Sequence, residues 1–368
     1  MSLKSTLRKE GIQVIKKLDA FEVNNISKKI ANVLCSAFPE HEMQYNNLVS
    51  CISSLNMYAS IFENNLIGAK YFYNNNSIFF NANISIEEND MFCLHECIHF
   101  LQDSYISKAN QSHLGLYNIN KGNGLALNEG AVQLMTCEAL GKQPEEVKYY
   151  DINLCTTSPT YYPLQCALLQ QVSYFTGTYP IYHSALCSDE IFKNTLIALS
   201  DEQTFKKLQS NMDKILTLET ELEFYTNELA TSECKVRKIN KITSIIDEYK
   251  HEISKTFFAT QNLIISHCFS KEFHDIKDME SLKNFKNRLY EFKNLIAYNN
   301  DYTFYNDFYC HAMENIEEKQ KQIENASTSI LEQEISKQLT VVNTTKGAFA
   351  FLKRLIYRLG LAGRKEMM

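Results

Sequence analysis

The sequence predicts an α-rich α+β protein, with a small antiparallel sheet beside two helices, followed by an all-helical bundle or hairpin. All five prolines and eight of the eleven glycines lie in the first 180 residues, and residues 181–346 contain neither. Apolar residues then recur three or four positions apart, the period of a helix that buries one face. We therefore predict three regions, at residues 1–200, 201–346 and 347–368.

The first elements are predicted from apolar spacing and from aromatic runs. Residues 5–37 are predicted to form one or two amphipathic helices, which Pro39 interrupts. The aromatic-rich runs Ala69–Tyr73 and Ser77–Phe80 flank the turn-forming asparagines 74–76. This arrangement predicts a β-hairpin.

The next element is a predicted helix that contains His95-Glu96-Cys97-Ile98-His99. Ser85 and Glu88 form a capping-box pattern at its start. Apolar residues at helical spacing would bury the opposite side of this helix. They are Met91, Leu94, Ile98 and Leu101.

On a helix, His95 and His99 lie one turn apart and can present imidazole nitrogens to a single ion, with Glu96 beside them. Zinc suits this arrangement, because a catalytic zinc takes three protein ligands and keeps a position for water. Glu96 is then placed to accept the proton of that water. The plainer alternative is a helix whose two histidines pack or face solvent.

A third ligand is predicted on the helical pattern that follows. Leu127–Met135 lies about thirty residues after His99, and Gly124 supplies a turn before it. Glu129 can approach the same ion if the two helices pack together, and Gly130 leaves room for that approach. Cys93 and Cys97 lie about 200° around the first helix from the histidines, so we predict that they are core thiols.

Residues 57–140 resemble the gluzincin metallopeptidases, in which a glutamate on a later helix follows H-E-x-x-H. The resemblance implies a zincin-like domain, with His95, His99 and Glu129 as zinc ligands and Glu96 as general base. The chain departs from the family at Gln133, where an aspartate commonly orients a ligand histidine. The amide oxygen of Gln133 is predicted to accept the same N–H bond less strongly.

The composition excludes several functions. A formal net charge of −6 argues against general nucleic-acid binding, and no apolar run reaches the length of a membrane span. Eleven cysteines without a regular spacing fit reduced thiols rather than a disulfide framework. The first ten residues lack the apolar core of a secretory signal, so conventional secretion is not expected.

The function predicted from these residues is a zinc-dependent endopeptidase with its substrate held against the outer strand, near residues 77–84. Tyr174, Tyr182 and His183 are alternatives for the donor that a zinc peptidase needs at the scissile carbonyl. Two other functions stay open. One is a non-catalytic binding module with a metal site, and the other is a bacterial-cytosolic peptidase for short peptides.

The motif position, chain size and missing signal also resemble the zinc proteases that intracellular bacterial pathogens deliver into host cells to cleave actin. The resemblance implies host actin as substrate and delivery to the host cytosol by a signal-peptide-independent route. The helical region would then grip the folded substrate. Residues 347–368 form a basic amphipathic tail, for which the alternatives are a docked final helix, weak membrane contact or an export signal.

Overall fold

The computed structural model describes residues 3–64, 67–83, 86–106, 113–231, 236–343 and 354–355. These residues divide into two compact units, which are Met1–His274 with Tyr290–Asn306 and Asp275–Leu289 with Asp307–Met368. The described structure is rich in helix and has small sheets, as the α-rich α+β prediction requires. The region boundary predicted near residue 200 lies inside the first unit.

The helices and strands are numbered in chain order. The helices are α1 (Leu3–Lys9), α2 (Ala20–Ala37), α3 (Tyr45–Ile52), α4 (Ile86–Ile106), α5 (Leu125–Ala139), α6 (Pro163–Thr176), α7 (Tyr179–Cys187), α8 (Ile191–Leu199), α9 (Glu202–Thr231), α10 (Val236–His274), α11 (Met279–Phe292) and α12 (Phe304–Asn343). The strands are β1 (Ile12–Lys17), β2 (Asn56–Phe62), β3 (Ala69–Phe72), β4 (Ser77–Asn81), β5 (His113–Leu114), β6 (Tyr117–Asn118), β7 (Glu145–Tyr149) and β8 (Ile152–Thr156).

The N-terminal segment is not wholly helical, so the prediction for residues 5–37 was wrong in part. Strand β1 lies between α1 and α2 and pairs antiparallel with β2. Gly11 separates α1 from the strand at a φ of +63°, a left-handed conformation that favours glycine. Five of the six residues of β1 are exposed, so the strand lacks the alternating burial that predicts a strand from sequence.

The predicted hairpin is confirmed, because β3 and β4 pair antiparallel through a short 3₁₀ turn. The strand order in the four-stranded sheet is β1-β2-β4-β3, and β2 and β4 are parallel, so this sheet is mixed and not antiparallel as predicted. Strands β1 and β3 are therefore the outer strands, and β4 is paired on both sides. The expectation that residues 77–84 form the outer strand was therefore wrong.

The two predicted ligand helices are confirmed as α4 and α5. Helix α4 packs against β3, α5 and α7, and α5 also packs against α6 and α9. The burial of α5 is nearly complete between residues 126 and 137, so this helix lies at the centre of the first unit. Ser85 of the predicted capping box lies outside the described residues.

The segment after residue 200 is helical, as predicted. Helices α9 and α10 pack against each other, and they also contact α5 and α6 respectively. The second unit contains most of α11 and α12, and these segments bury apolar side chains at helical spacing. Leu282, Phe285 and Ile316 are among them. Across the described residues, no helix is long and apolar enough to cross a membrane. Apart from Arg354 and Leu355, the predicted tail lies outside the described residues.

Candidate metal centre

Two helices bring the predicted ligands together. His95 and His99 lie one turn apart on α4, and Glu129 lies in the first turns of α5. Asp213 on α9 fixes where α5 begins, because its carboxylate accepts from the backbone N–H of Gly124 at 2.6 Å and of Ala126 at 2.9 Å. The site thus depends on a residue of α9 that no sequence pattern singled out.

The three predicted ligand side chains form a compact triangle of donor atoms. The Nε2 atoms of His95 and His99 lie 3.0 Å apart, and Oε2 of Glu129 lies 3.3 Å from the first and 3.4 Å from the second. Ligand atoms about 2.0–2.1 Å from a tetrahedral zinc lie about 3.3 Å from one another. Among the described residues, this is the one group of three or more such side chains close enough to hold a metal ion.

Each histidine is held from behind by a carboxamide. The Nδ1 of His95 lies 2.9 Å from Oε1 of Gln133, which confirms the predicted contact. The Nδ1 of His99 lies 3.0 Å from Oε1 of Gln102, a contact that sequence reasoning missed. The signal for it was the spacing, because Gln102 lies three residues after His99 on one helix face. A neutral ring with its proton on Nδ1 turns the lone pair of Nε2 toward the position that a metal would take.

Burial and charge act together on the triangle. Burial alone would raise the pKa of Glu129, but the neighbouring His99 and His95 outweigh it and hold that pKa well below its usual range. Burial lowers the pKa of His99, but the carboxylate of Glu129 outweighs it and raises the pKa to about 9. The side chains of His95, His99 and Glu129 are 9, 12 and 16% exposed, so water screens these charges weakly. The carboxylate of Glu129 therefore favours a positive charge beside it, whether that charge is a proton on His99 or a metal ion.

Glu96 lies beside the triangle and is not one of its members. Its Oε2 accepts from the backbone N–H of Tyr71 on β3 at 2.8 Å. Burial raises the pKa of Glu96, although the positive charges of His95 and His99 oppose the shift. A half-buried carboxylate with a raised pKa, next to a metal position, has the properties of a general base.

Tyr162 is the site residue that the sequence did not single out. Its ring stacks on that of His95, with centroids 6.0 Å apart and planes 14° from parallel. It occupies a left-handed conformation with a φ of 50°, immediately before the proline that starts α6. Burial, followed by the charges of Glu129 and Glu96 and by a hydrogen bond to Glu129, raises the pKa of Tyr162. The phenol therefore stays protonated and able to donate. The sequence signal was the run Tyr161-Tyr162-Pro163.

The three residues proposed from the sequence as carbonyl donors are bound elsewhere. The hydroxyl of Tyr174 donates to Glu291, and that of Tyr182 donates to Glu138. His183 pairs with Asp189. None of these partners belongs to the triangle.

The site is a two-histidine, one-carboxylate set with an adjacent carboxylate and phenol. Comparisons of the chain with models of protein families, with curated proteins and with solved structures found no match. The residues themselves, and not a relative, therefore mark this as the candidate site.

The described cysteines lie outside the triangle of ligand side chains. Cys97 is fully buried, as predicted for a core thiol, and its pKa is raised well above the usual value, first by a hydrogen bond with Cys93 and then by burial. All ten described cysteines are free thiols. They are Cys35, Cys51, Cys93, Cys97, Cys137, Cys155, Cys166, Cys187, Cys268 and Cys310.

Proposed function

We propose that the protein is a zinc-dependent endopeptidase that hydrolyses a peptide bond in a protein substrate. The observation that carries the proposal is the convergence of His95, His99 and Glu129 on one point, with Glu96 beside it. We further propose that the four-stranded sheet with α4 and α5 is a zincin-like domain. The ligand-bearing helices and the adjacent antiparallel edge strand support this proposal.

The donor set fits zinc. Two neutral imidazoles and one carboxylate are the ligands of many catalytic zinc ions, and the spacing of the donor atoms matches a tetrahedral site. When bound, zinc would polarise the scissile carbonyl and lower the pKa of the attacking water. The ligands that would hold it are His95, His99 and Glu129.

Glu96 would take the proton of the attacking water and return it to the leaving amine. The bond from the Tyr71 N–H fixes Oε2 of this carboxylate at the edge of β3. The pKa of Glu96 is raised toward neutral pH, and a general base works best when its pKa lies near the working pH. The hydroxyl of Tyr71 also donates to Asp103 on α4 at 2.8 Å, so this residue ties the strand to the helix at two points.

The outer edge of β3 is the proposed support for an extended substrate. The Tyr71 N–H points away from β4, and hydrogen-bonding directions alternate along an antiparallel strand. The backbone groups of Ala69 and the carbonyl of Tyr71 therefore lie on the same outer edge, where a peptide can add as a further strand. Tyr162, stacked over His95, is the proposed donor to the carbonyl oxygen as negative charge develops on it.

Actin is the substrate that we propose to test first. This choice rests on the resemblance to actin-cleaving effector proteases, and so does the proposed location in a host cell. The edge strand and the metal position suit any extended peptide segment, and the substrate itself must be found by experiment.

A second candidate function is a binding module that keeps a metal without catalysis. The bond from the Tyr71 N–H gives Glu96 a structural task, which is the observation that favours this reading. A third candidate is a peptidase for short peptides, which would cut peptides and leave folded proteins intact.

The deciding experiment incubates the purified, zinc-loaded protein with actin and with a host-cell lysate, each with and without a chelator. The endopeptidase proposal expects a discrete actin fragment that the chelator abolishes. The zinc content should be about one ion per chain, and His95→Ala or His99→Ala should remove it. Zinc retained by both variants would contradict the ligand assignment. Bound zinc without cleavage of any protein or peptide would favour the binding module.

A further inference from the structure

Behind each histidine ligand lies a carboxamide, and behind each carboxamide lies a second polar side chain that is tied to the backbone. These four side chains are all buried, with exposed fractions of 0–2%. They are Gln102, Asn128, Gln133 and Ser158. A carboxamide has an oxygen at one end and an NH₂ group at the other, so its orientation decides whether it accepts from a histidine or donates to it.

The series of hydrogen bonds behind His99 begins at a backbone N–H. The N–H of Leu116 lies 3.0 Å from Oδ1 of Asn128, and because an N–H only donates, the atom facing it must be oxygen. The same oxygen accepts from Nε2 of Gln102 at 2.9 Å. Gln102 therefore turns its oxygen toward Nδ1 of His99.

The series of hydrogen bonds behind His95 begins at a backbone carbonyl. The hydroxyl of Ser158 donates its one proton to the carbonyl of Tyr161, so its oxygen is left to accept. It accepts from Nε2 of Gln133 at 2.9 Å. Gln133 therefore turns its oxygen toward Nδ1 of His95.

We propose that Asn128 and Ser158 are positioning residues that set the tautomer of the two histidine ligands. An oxygen beside Nδ1 holds the proton of the neutral ring there, which leaves each Nε2 free to bind a metal. A carboxamide turned the other way would place NH₂ against Nδ1 and drive the proton to Nε2, where it blocks the metal. This inference rests on the metal site of the proposed function.

The need for these residues follows from the amide itself. A carboxylate has oxygen at both ends and accepts from a histidine in either orientation. Gln133 and Gln102 each have one wrong orientation, which a further residue must exclude. In both series of hydrogen bonds, the residue that excludes the wrong orientation is itself bonded to a backbone group. A backbone N–H can only donate and a backbone carbonyl can only accept.

The test measures the zinc affinity of the full-length protein by competition with a chromophoric chelator. Ser158→Ala should weaken zinc binding about 10-fold, the lower end of what loss of an outer partner costs. In a Gln133→Glu background the same change should alter the affinity by less than about twofold, since a carboxylate needs no orienting. Thr136→Val is the matched control, because Thr136 is equally buried on α5 and bonds within its own helix. It should bind zinc like the parent.

The outcomes separate this inference from the proposed function. A parent protein that binds no zinc contradicts the proposed function. A parent that binds zinc, with the Ser158→Ala affinity unchanged, contradicts the positioning role alone. An equal loss in both backgrounds also overturns it, because that is the signature of a general packing defect. If Ser158→Ala does not fold, Asn128→Ala is the replacement test of the positioning role. It should weaken zinc binding about 10-fold, and this loss should disappear in a Gln102→Glu background.

Discussion

The backbone N–H of Tyr71 lies 2.8 Å from Oε2 of Glu96, so the outer strand of the sheet is bonded to the proposed general base. The bond holds one carboxylate oxygen at the strand edge and so fixes the direction of the other. The proposed peptide support and the proposed base are therefore placed by a single contact.

The first prediction concerns Glu96→Gln. The amide oxygen can still accept from Tyr71, so the fold and the zinc content should match the parent. Turnover should fall by about 10²–10⁴, the range for loss of a placed general base. Asp90→Asn, on the same helix with its carboxylate paired to Lys29, should cleave normally. Cleavage by Glu96→Gln at the parent rate would remove the base from the mechanism.

The second prediction concerns Glu129→Gln. The change keeps the shape of the side chain and removes the negative charge that faces both ligand histidines. Zinc affinity should fall by more than the roughly 10–100-fold that loss of an outer partner costs. Glu138→Gln is the control, since it lies on the same helix and its amide oxygen can still accept from Tyr182. An affinity equal to the parent's would exclude Glu129 as a ligand.

The third prediction compares two phenols. Tyr162→Phe should lower kcat by about 10²–10³ with little change in zinc content, because it removes a donor to the developing negative charge. Tyr174→Phe should leave kcat unchanged, since that hydroxyl is bound to Glu291. Steady-state kinetics on one cleaved peptide distinguishes the two. Equal rates for Tyr162→Phe and the parent would leave the ring of Tyr162 with a packing role only.

The fourth prediction concerns the start of α5. Asp213→Ala leaves two backbone N–H groups of the first turn without their carboxylate, which should cost about 1 kcal/mol of the free energy of unfolding. Asp213→Asn, which keeps one acceptor, should cost less. Urea unfolding of the three metal-free proteins measures the difference. A chain cut near residue 200 lacks this aspartate altogether, so we expect it to lose zinc affinity as well as stability.

The fifth prediction concerns pH and His41. This side chain is 2% exposed, and its ring stacks on Tyr179 and His183. Neither ring nitrogen has a hydrogen-bond partner among the described residues, although Nε2 lies 3.6 Å from Oε1 of Glu40. Burial lowers the pKa of His41 from 6.5, and His183 lowers it further, although nearby Glu40 opposes them. The unfolded chain therefore binds this proton more readily, so stability falls as pH drops below about 6.5.

His41→Phe should keep the stacked rings and reduce this loss. Thermal unfolding at about pH 7.5 and about pH 5.5 should show a smaller drop for the variant than for the parent. His251→Gln, at an exposed position, should behave like the parent. If the variant loses as much stability in acid as the parent, groups other than His41 cause that loss.

The site was predictable where chemistry follows from helical spacing. His95 and His99 are one turn apart, and Glu129 needed only a second helix packed on the first, so these ligands could be named from the sequence. The contact of Gln133 with His95 was predicted from the gluzincin resemblance and is confirmed. Tyr162 and Asp213 could not be named, because they reach the site from a loop and from a helix whose placement only tertiary packing decides.

The fold shows the same division. A long apolar stripe in the sequence predicts helices α9 and α10. Strand β1 is exposed and is defined only by its pairing with β2. The hairpin β7–β8 had no predicted counterpart, and Tyr150 and Asp151 at its turn both have positive φ without being glycine. The mistaken choice of β4 as the outer strand arose because the parallel pairing with β2 joins residues that lie far apart in sequence.

The central position of α5 has a consequence for the order in which the chain is made. Glu129 emerges from the ribosome long before Asp213, which holds the first turn of its helix in place. A nascent chain that has passed both ligand helices still lacks the segment that completes them. The candidate site therefore stays incomplete between the synthesis of Glu129 and that of Asp213, and the proposed activity would arise only after α9 has begun to pack.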